Sequence, residues 1–352
     1  MKRASVAALR RANRLMRPAK LTKATRSFQK AMAGLMAATL LAPLTPRPAK
    51  THRTTVPKVD REVSARMPKG AQFLTRMHRS AAGVCGYRLY LPASRPKRPK
   101  GMIVMLHGCN QTPDDFARGT HMNALAEKQG LAIAYPGQTM GNNAASCWNW
   151  FRPGDQVRGA GEPALLASLT RKLMKELGLR RDAVFVAGLS AGGAMAAILV
   201  DVYPDVFSAA GVHSGLARGA AHDVVSAMTA MRSGGGSARI APTVSPQSTP
   251  VRRIVFHGDT DRTVHPSNAS QIVVAALGRA TAPTSVNTRS VRGRSYERSS
   301  FAGTDGRVVL ELWMLERAGH AWSGGRAAGS YTDSKGPDAS AQMIRFFLAK
   351  PA

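Results

Sequence analysis

The chain is 352 residues long and 44% apolar, with 33 Gly and 21 Pro as punctuation; this fits a globular protein with one large core or two small domains and excludes a disordered or fibrous chain. Its formal charge of +30 is lopsided: residues 1–100 hold 24 Lys+Arg against 2 Asp+Glu, whereas the remaining 252 hold 26 against 18. The basic excess therefore belongs to an N-terminal arm. That arm has no interleaved aromatics and no zinc or RRM signature, so it reads as a solvated leader with weak contact to anionic surfaces at most, not as a specific nucleic-acid binder.

In chain order, residues 1–30 carry ten Lys/Arg and no acid, and "AMAGLMAATLLAPLTP" follows them. This apolar run is short for a membrane span. It reads either as a secretory signal with a long basic region or as an amphipathic helix ahead of a linker. Residues 45–70, rich in Pro, Thr, Lys and Arg, read as that linker, which makes 1–70 a leader and 71–352 the globular domain.

From Phe73 onward, strands and helices alternate. "YRLYLP" (87–92), "MIVMLHG" (102–108) and "LAIAYP" (131–136) predict strands, the second covered on both faces. Residues 114–129 predict a helix with Asp114 as N-cap, and 162–178 an amphipathic helix closed by Gly178. "AVFVAGLS" predicts a strand and 191–202 a helix, with further strands at "SAAGVHSG" and "RRIVFHGD". A helix over 267–277, the long strand "VVLELWMLERAGH" and the closing helix "DASAQMIRFFLAK" complete the pattern. The expected fold class is α/β: a doubly wound, mostly parallel sheet with ligands at the strands' carboxyl ends.

The notable polar residues fall just past those ends. "GLSAG" fits G-x-S-x-G, a strand-to-helix turn in which Gly188 and Gly192 leave room and Ser190 is lifted into the open at a helix N-terminus. A serine nucleophile needs a base, and the chain order for this arrangement is Ser, acid, His. "VFHGDTDRTVHP" offers Asp259 and Asp261, with Asp261 preferred; "ERAGHAWSG" offers His320 after Gly319, a residue that lets the loop approach closely. The backbone amides of Cys109 and Ala191 are the expected oxyanion donors, with His107 as a buttress of the loop. His213, His257 and His265 show no metal-ligand spacing and read as packing or turn residues, so no metal is expected. Cys109 and Cys147 lie on loops at one sheet edge, where a disulfide could brace the oxyanion loop; free thiols are the alternative, and Cys85 is left over. Trp148, Trp150 and Trp322 either line a substrate groove or anchor the core.

With these residues in view, the sequence resembles the esterases of the polyhydroxybutyrate depolymerase family, catalytic-domain type 1, over roughly residues 75–350. The resemblance rests on "LHGCNQTPDDFA", "CWNWF", "GEPALLASLTRKL", "VFVAGLSAGGAMAAILVDVYPDVFSAAGVHSG", "VFHGDTDRTVHP" and "GHAWSGG". It implies an α/β-hydrolase fold without metal or organic cofactor, with Ser190 as nucleophile, Asp261 as acid, His320 as base and Cys109 as oxyanion contributor. It further implies a serine esterase acting on hydroxyalkanoate polymers or oligomers or other short-chain esters. Acetyl xylan or feruloyl esters are the alternative, ahead of a serine peptidase or a non-catalytic binding protein. Family and cysteine pair together imply an extracellular or periplasmic site, with a cytoplasmic one left open.

Overall fold

The computed structural model describes residues 67–95, 97–234, 251–278 and 281–349, so residues 1–66 of the expected leader lie outside the described residues. Strands β1 (Gln72–Ser80) and β2 (Gly83–Leu91) form an antiparallel hairpin. The chain then runs through β3 (Gly101–Leu106), helices α1 (Pro113–Thr120) and α2 (Met122–Gln129), β4 (Leu131–Pro136), α3 (Gly161–Leu177), β5 (Val184–Leu189) and α4 (Ala191–Val202). After these come β6 (Ala209–His213), α5 (Val224–Ser233), β7 (Arg252–Gly258), α6 (Ser267–Leu277), β8 (Ser285–Val291), β9 (Arg294–Ala302) and β10 (Val308–Leu315). Short strands β11 (Trp322–Ser323) and β12 (Thr332–Asp333) and helix α7 (Ala339–Leu348) end the order.

Ten strands form one sheet in the order β1-β2-β4-β3-β5-β6-β7-β10-β9-β8. The block from β4 to β10 is parallel throughout, and an antiparallel hairpin closes each edge. Every residue of β3, β4 and β5 is buried, as continuous apolar runs require when helices cover both faces. Side chains divide by the period of two. Ile103, Met105, Phe185, Ala187 and Phe256 join residues of α1, α2 and α7 in one core, whereas Val212 and Val255 meet α4 and α6 in another. Phe185 stacks on Phe347 at 4.9 Å between ring centroids, fixing α7 to the centre of the sheet.

Two expectations change at the first helical segment. Residues 113–129 form two helices, because His121 takes φ 55 between them. The cap is Thr112, whose hydroxyl accepts from the Asp115 amide at 3.2 Å. Asp114 sits in the first turn, 3.2 Å from Arg88. Gly178 closes α3 in the left-handed region, as expected.

Beneath the sheet, Asp201 of α4 and Arg253 of β7 form an ion pair with side chains only 1% and 2% exposed. Breaking one partner leaves an uncompensated buried charge. Asp201→Leu is therefore expected to lower unfolding stability by about 3–5 kcal/mol, and the double change Asp201→Leu/Arg253→Met to restore most of it, as read by urea denaturation.

Candidate active site

Ser190 occupies the single residue between β5 and α4, with φ 56 and ψ −118. A non-glycine residue rarely adopts such angles, and holding it there costs about 1–3 kcal/mol. The surroundings enforce it: the Ser190 amide donates to His213 O at 2.9 Å, and the Ala194 amide donates to Ser190 O at 2.9 Å. The flanking glycines are steric necessities. A Cβ on Gly188 would lie 2.3 Å from Gly192 O, and one on Gly192 would lie 2.1 Å from Leu106 O.

Asp261 follows β7 and His320 follows β10. Their Oδ2 and Nδ1 are 2.7 Å apart, with His320 at the rim and Asp261 only 4% exposed. Asp261 Oδ1 accepts from the amides of Thr263 and Val264, each at 2.9 Å. Burial opposes charge on this carboxyl, but His320, His257 and the Val264 amide outweigh it and hold it down at about 2. Asp259, by contrast, is exposed and shares no bond with an imidazole among the described residues. The close approach that joins the two loops is made by Gly258 and not by Gly319: a Cβ on Gly258 would meet Ala318 O at 2.2 Å, whereas one on Gly319 would meet nothing within 4 Å. Thr260 secures the same joint, its amide and hydroxyl donating to Ala318 O at 3.1 and 2.8 Å.

His107, His213, His257 and His265 make packing and backbone contacts. His107 is fully buried, with Nδ1 donating to Gly108 O at 2.8 Å and Nε2 accepting from the Gln138 amide at 3.0 Å; burial lowers its pKa to about 4. His213 stacks between Phe256 and Trp322, accepts from the Ser323 amide at 3.1 Å and is lowered to about 3, chiefly by burial. His257 donates to Val264 O at 2.9 Å, and His265 meets Ser267 Oγ at 2.8 Å in the turn before α6. Among the described residues no cluster of ligands could hold a metal ion.

A disulfide joins Cys109, just past β3, to Cys147, leaving Cys85 as a buried thiol that burial pushes up to about 11. Cys109 and Ala191, whose amides are the expected oxyanion donors, are 7% and 3% exposed, on the loop after β3 and at the first residue of α4. Of the two readings left open for Trp148, Trp150 and Trp322, their burial supports the core anchors: the three are 2%, 5% and 1% exposed. Trp148 donates to His107 O at 3.1 Å, Trp322 donates to Ser340 Oγ at 3.0 Å and packs edge-on to Phe116, and Trp150 meets Phe151 edge-on. Sequence reasoning missed Gln111, whose Oε1 accepts from the Gly108 amide at 2.9 Å while Nε2 donates to Asp115 Oδ2 and Ser330 O, each at 3.0 Å. It ties the loop after β3 to the loop after His320. Its position beside the cysteine in "GCNQT" was the available signal.

A sequence model of the family described as "Esterase PHB depolymerase" matches residues 85–291. Poly(3-hydroxyalkanoate) depolymerase C of Paucimonas lemoignei is 33% identical over 192 residues, covering 52% of this chain and 44% of that protein. Feruloyl esterase B of Neurospora crassa is 31% identical over 129 residues, covering 36% of this chain and 43% of that protein. The matches thus span less than half the length of these two relatives. Among solved structures, an acetyl xylan esterase from Aspergillus awamori aligns with a TM-score of 0.61 at 20% identity, over 79% of this chain and 98% of the other. The fold is that of the α/β-hydrolases.

Two outcomes follow from this geometry. The Asp261 carboxyl, held at about 2 against an ordinary 3.8, stabilises the native state fully above its ordinary value, and the contribution disappears as pH falls through about 2. Asp261→Asn should then cost about 2 kcal/mol at pH 6, with the gap to wild type closing toward pH 2 in urea titrations. The Cys109–Cys147 bridge spans a sequence separation of 38. Replacing both cysteines with serine should lower unfolding stability by about 4 kcal/mol, measured by denaturation of the two proteins side by side.

Proposed function

This chain belongs to the PHB depolymerase family of esterases, and on that premise we propose that it is a serine hydrolase of carboxylic esters. Its substrates are oligomeric or polymeric 3-hydroxyalkanoates or other short-chain esters. The observation that carries the reading is the 2.7 Å bond between His320 Nδ1 and Asp261 Oδ2, at the carboxyl ends of strands parallel to β5, whose own carboxyl end carries the strained Ser190. Donation from Nδ1 to a charged carboxylate leaves Nε2 as the basic nitrogen.

Ser190 Oγ attacks the ester carbonyl as His320 Nε2 takes its proton, and Asp261 stabilises the resulting imidazolium. The carbonyl oxygen, now negative, is received by the amides of Cys109 and Ala191, the latter at the N-terminus of α4. Collapse of this intermediate releases the alcohol, protonated by His320, and leaves an acyl group on Ser190. Water, deprotonated by His320, then attacks the acyl carbon, and the bond to Ser190 Oγ breaks as His320 returns that proton to Oγ, freeing the carboxylic acid.

The depolymerase relative supports a hydroxyalkanoate substrate, and the feruloyl esterase relative supports a second reading as an esterase of substituted polysaccharides. The disulfide supports an oxidising compartment, outside the cytoplasm. The basic arm supplies weak contact with an anionic surface.

Ser190→Ala is expected to lower turnover of p-nitrophenyl butyrate by about four to six orders of magnitude and to abolish labelling by a fluorophosphonate. A wild-type protein that neither labels nor hydrolyses the ester would sink the proposal. Relative rates on hydroxybutyrate trimer and methyl ferulate decide between the two substrate readings.

A further inference from the structure

Resting on the esterase reading above, we propose that Glu162 is a positioning residue for acyl transfer, setting the Cys109 amide through Asn149, Asn143 and Gln138. Glu162 lies in the first turn of α3, far along the chain from the residues that would touch substrate. Its carboxylate points away from its own helix and collects three N–H donors from the segment after β4. The Asn149 amide donates to Oε2 at 2.7 Å, the Asn149 side chain donates to Oε1 at 2.6 Å, and the Gln138 side chain donates to Oε1 as well. An Asp155 oxygen occupies the helix terminus instead, accepting from the Glu162 amide at 2.7 Å. Gly161, at φ 57, makes room for it, since a Cβ there would fall 2.2 Å from Asp155 Oδ1.

From Glu162, two tracks converge on residues 107–110. Along the first, Asn149 Oδ1 accepts from the Asn143 side chain at 2.9 Å, and Asn143 Oδ1 accepts from the amides of Ala145 at 2.9 Å and Cys147 at 3.4 Å. Ala145 O then accepts from the Asn110 amide at 2.9 Å, and Cys147 is bonded to Cys109 itself. Along the second, the Gln138 amide donates to His107 Nε2 at 3.0 Å. Between them, Trp148, adjacent to Asn149, donates its indole N–H to His107 O at 3.1 Å. The chain at Leu106–His107 lies against Gly192 on its other side, so the oxyanion loop is held between the nucleophile turn and a frame whose base is one carboxylate.

A carboxylate in this place is expensive. Burial and the nearby Asp155 push its pKa up to about 7. A glutamine would avoid that, but it would turn an N–H toward donors and lose one of the acceptor sites. The frame therefore depends on the acid for its geometry.

The experiment measures p-nitrophenyl butyrate hydrolysis and inhibition by an alkyl trifluoromethyl ketone, whose adduct with Ser190 carries the oxyanion, in wild type, Glu162→Gln, Asn143→Ala and the double variant. Displacing one oxyanion donor is expected to lower kcat about ten- to a hundredfold with KM within about twofold, and to weaken the ketone by the same factor. The double variant should be no worse than the poorer single, because both act through one frame. Should Glu162→Gln fail to fold, Asn143→Ala alone must show the matched loss of kcat and ketone affinity. Activity within twofold of wild type in the folded variants, losses in KM alone, or losses that multiply in the double variant would overturn the proposal. A wild-type protein inert toward the ester and the ketone would instead overturn the esterase reading beneath it.

Discussion

The tip of β3 and the turn after β5 touch at the level of backbone, and the rest of the site depends on that contact. Gly192 lies so close to the carbonyls of Leu106 and His107 that no side chain could stand between them. Because both partners are main chain, no rotamer change can absorb an error there. The contact sets the spacing between the amide of Ala191, on the turn, and that of Cys109, on the loop beyond β3. Buried strands on either side make the separation a property of the sheet, not of two mobile loops. The disulfide, Gln111 and the indole of Trp148 then hold the loop onto a position already defined by packing.

The electrostatic arrangement around Asp261 follows a similar economy. Its neighbours in this region include three imidazoles, those of His213, His257 and His320. Burial lowers the pKa of the first two below that of a free imidazole, His213 the further, while Asp261 acts to raise both, and His320 reaches the rim. The Asp261 carboxylate lies 3.5 Å from His257 Nε2 and makes its shorter contact, 2.7 Å, with His320. The inner histidines act through shape and hydrogen bonding: His213 anchors the Ser323 amide, and His257 pins Val264.

The central sheet was legible because strands covered on both faces need unbroken apolar runs, and β3, β4 and β5 are written that way. The edges were not. β8 reads "SVNTRSV" and is almost wholly exposed, so no apolar pattern marks it, and the β1 strand and helix α5 escaped for related reasons. Ser190, Asp261 and His320 stood out because their turn residues and chain order are local signals. Which glycine brings two loops together is not local: Gly319 sits beside the histidine, yet Gly258, some sixty residues earlier, makes the contact. The tryptophans stayed open between groove and core for a related reason, since proximity in sequence to site residues says nothing about which way an indole turns. Glu162 stands in one of the stretches that carry the family resemblance, but no local signal marks its role, which arises only when folding delivers three donors to it.

The unusual backbone at Ser190 also bears on how such a protein changes over generations. A glycine would relax into φ 56 without the Cβ penalty, at the expense of greater freedom in the unfolded chain. Where the relief is the larger of the two, Ser190→Gly yields a chain that is inert yet folds more firmly. Mutational drift toward robustness would then erase the hydroxyl unless selection for turnover opposed it.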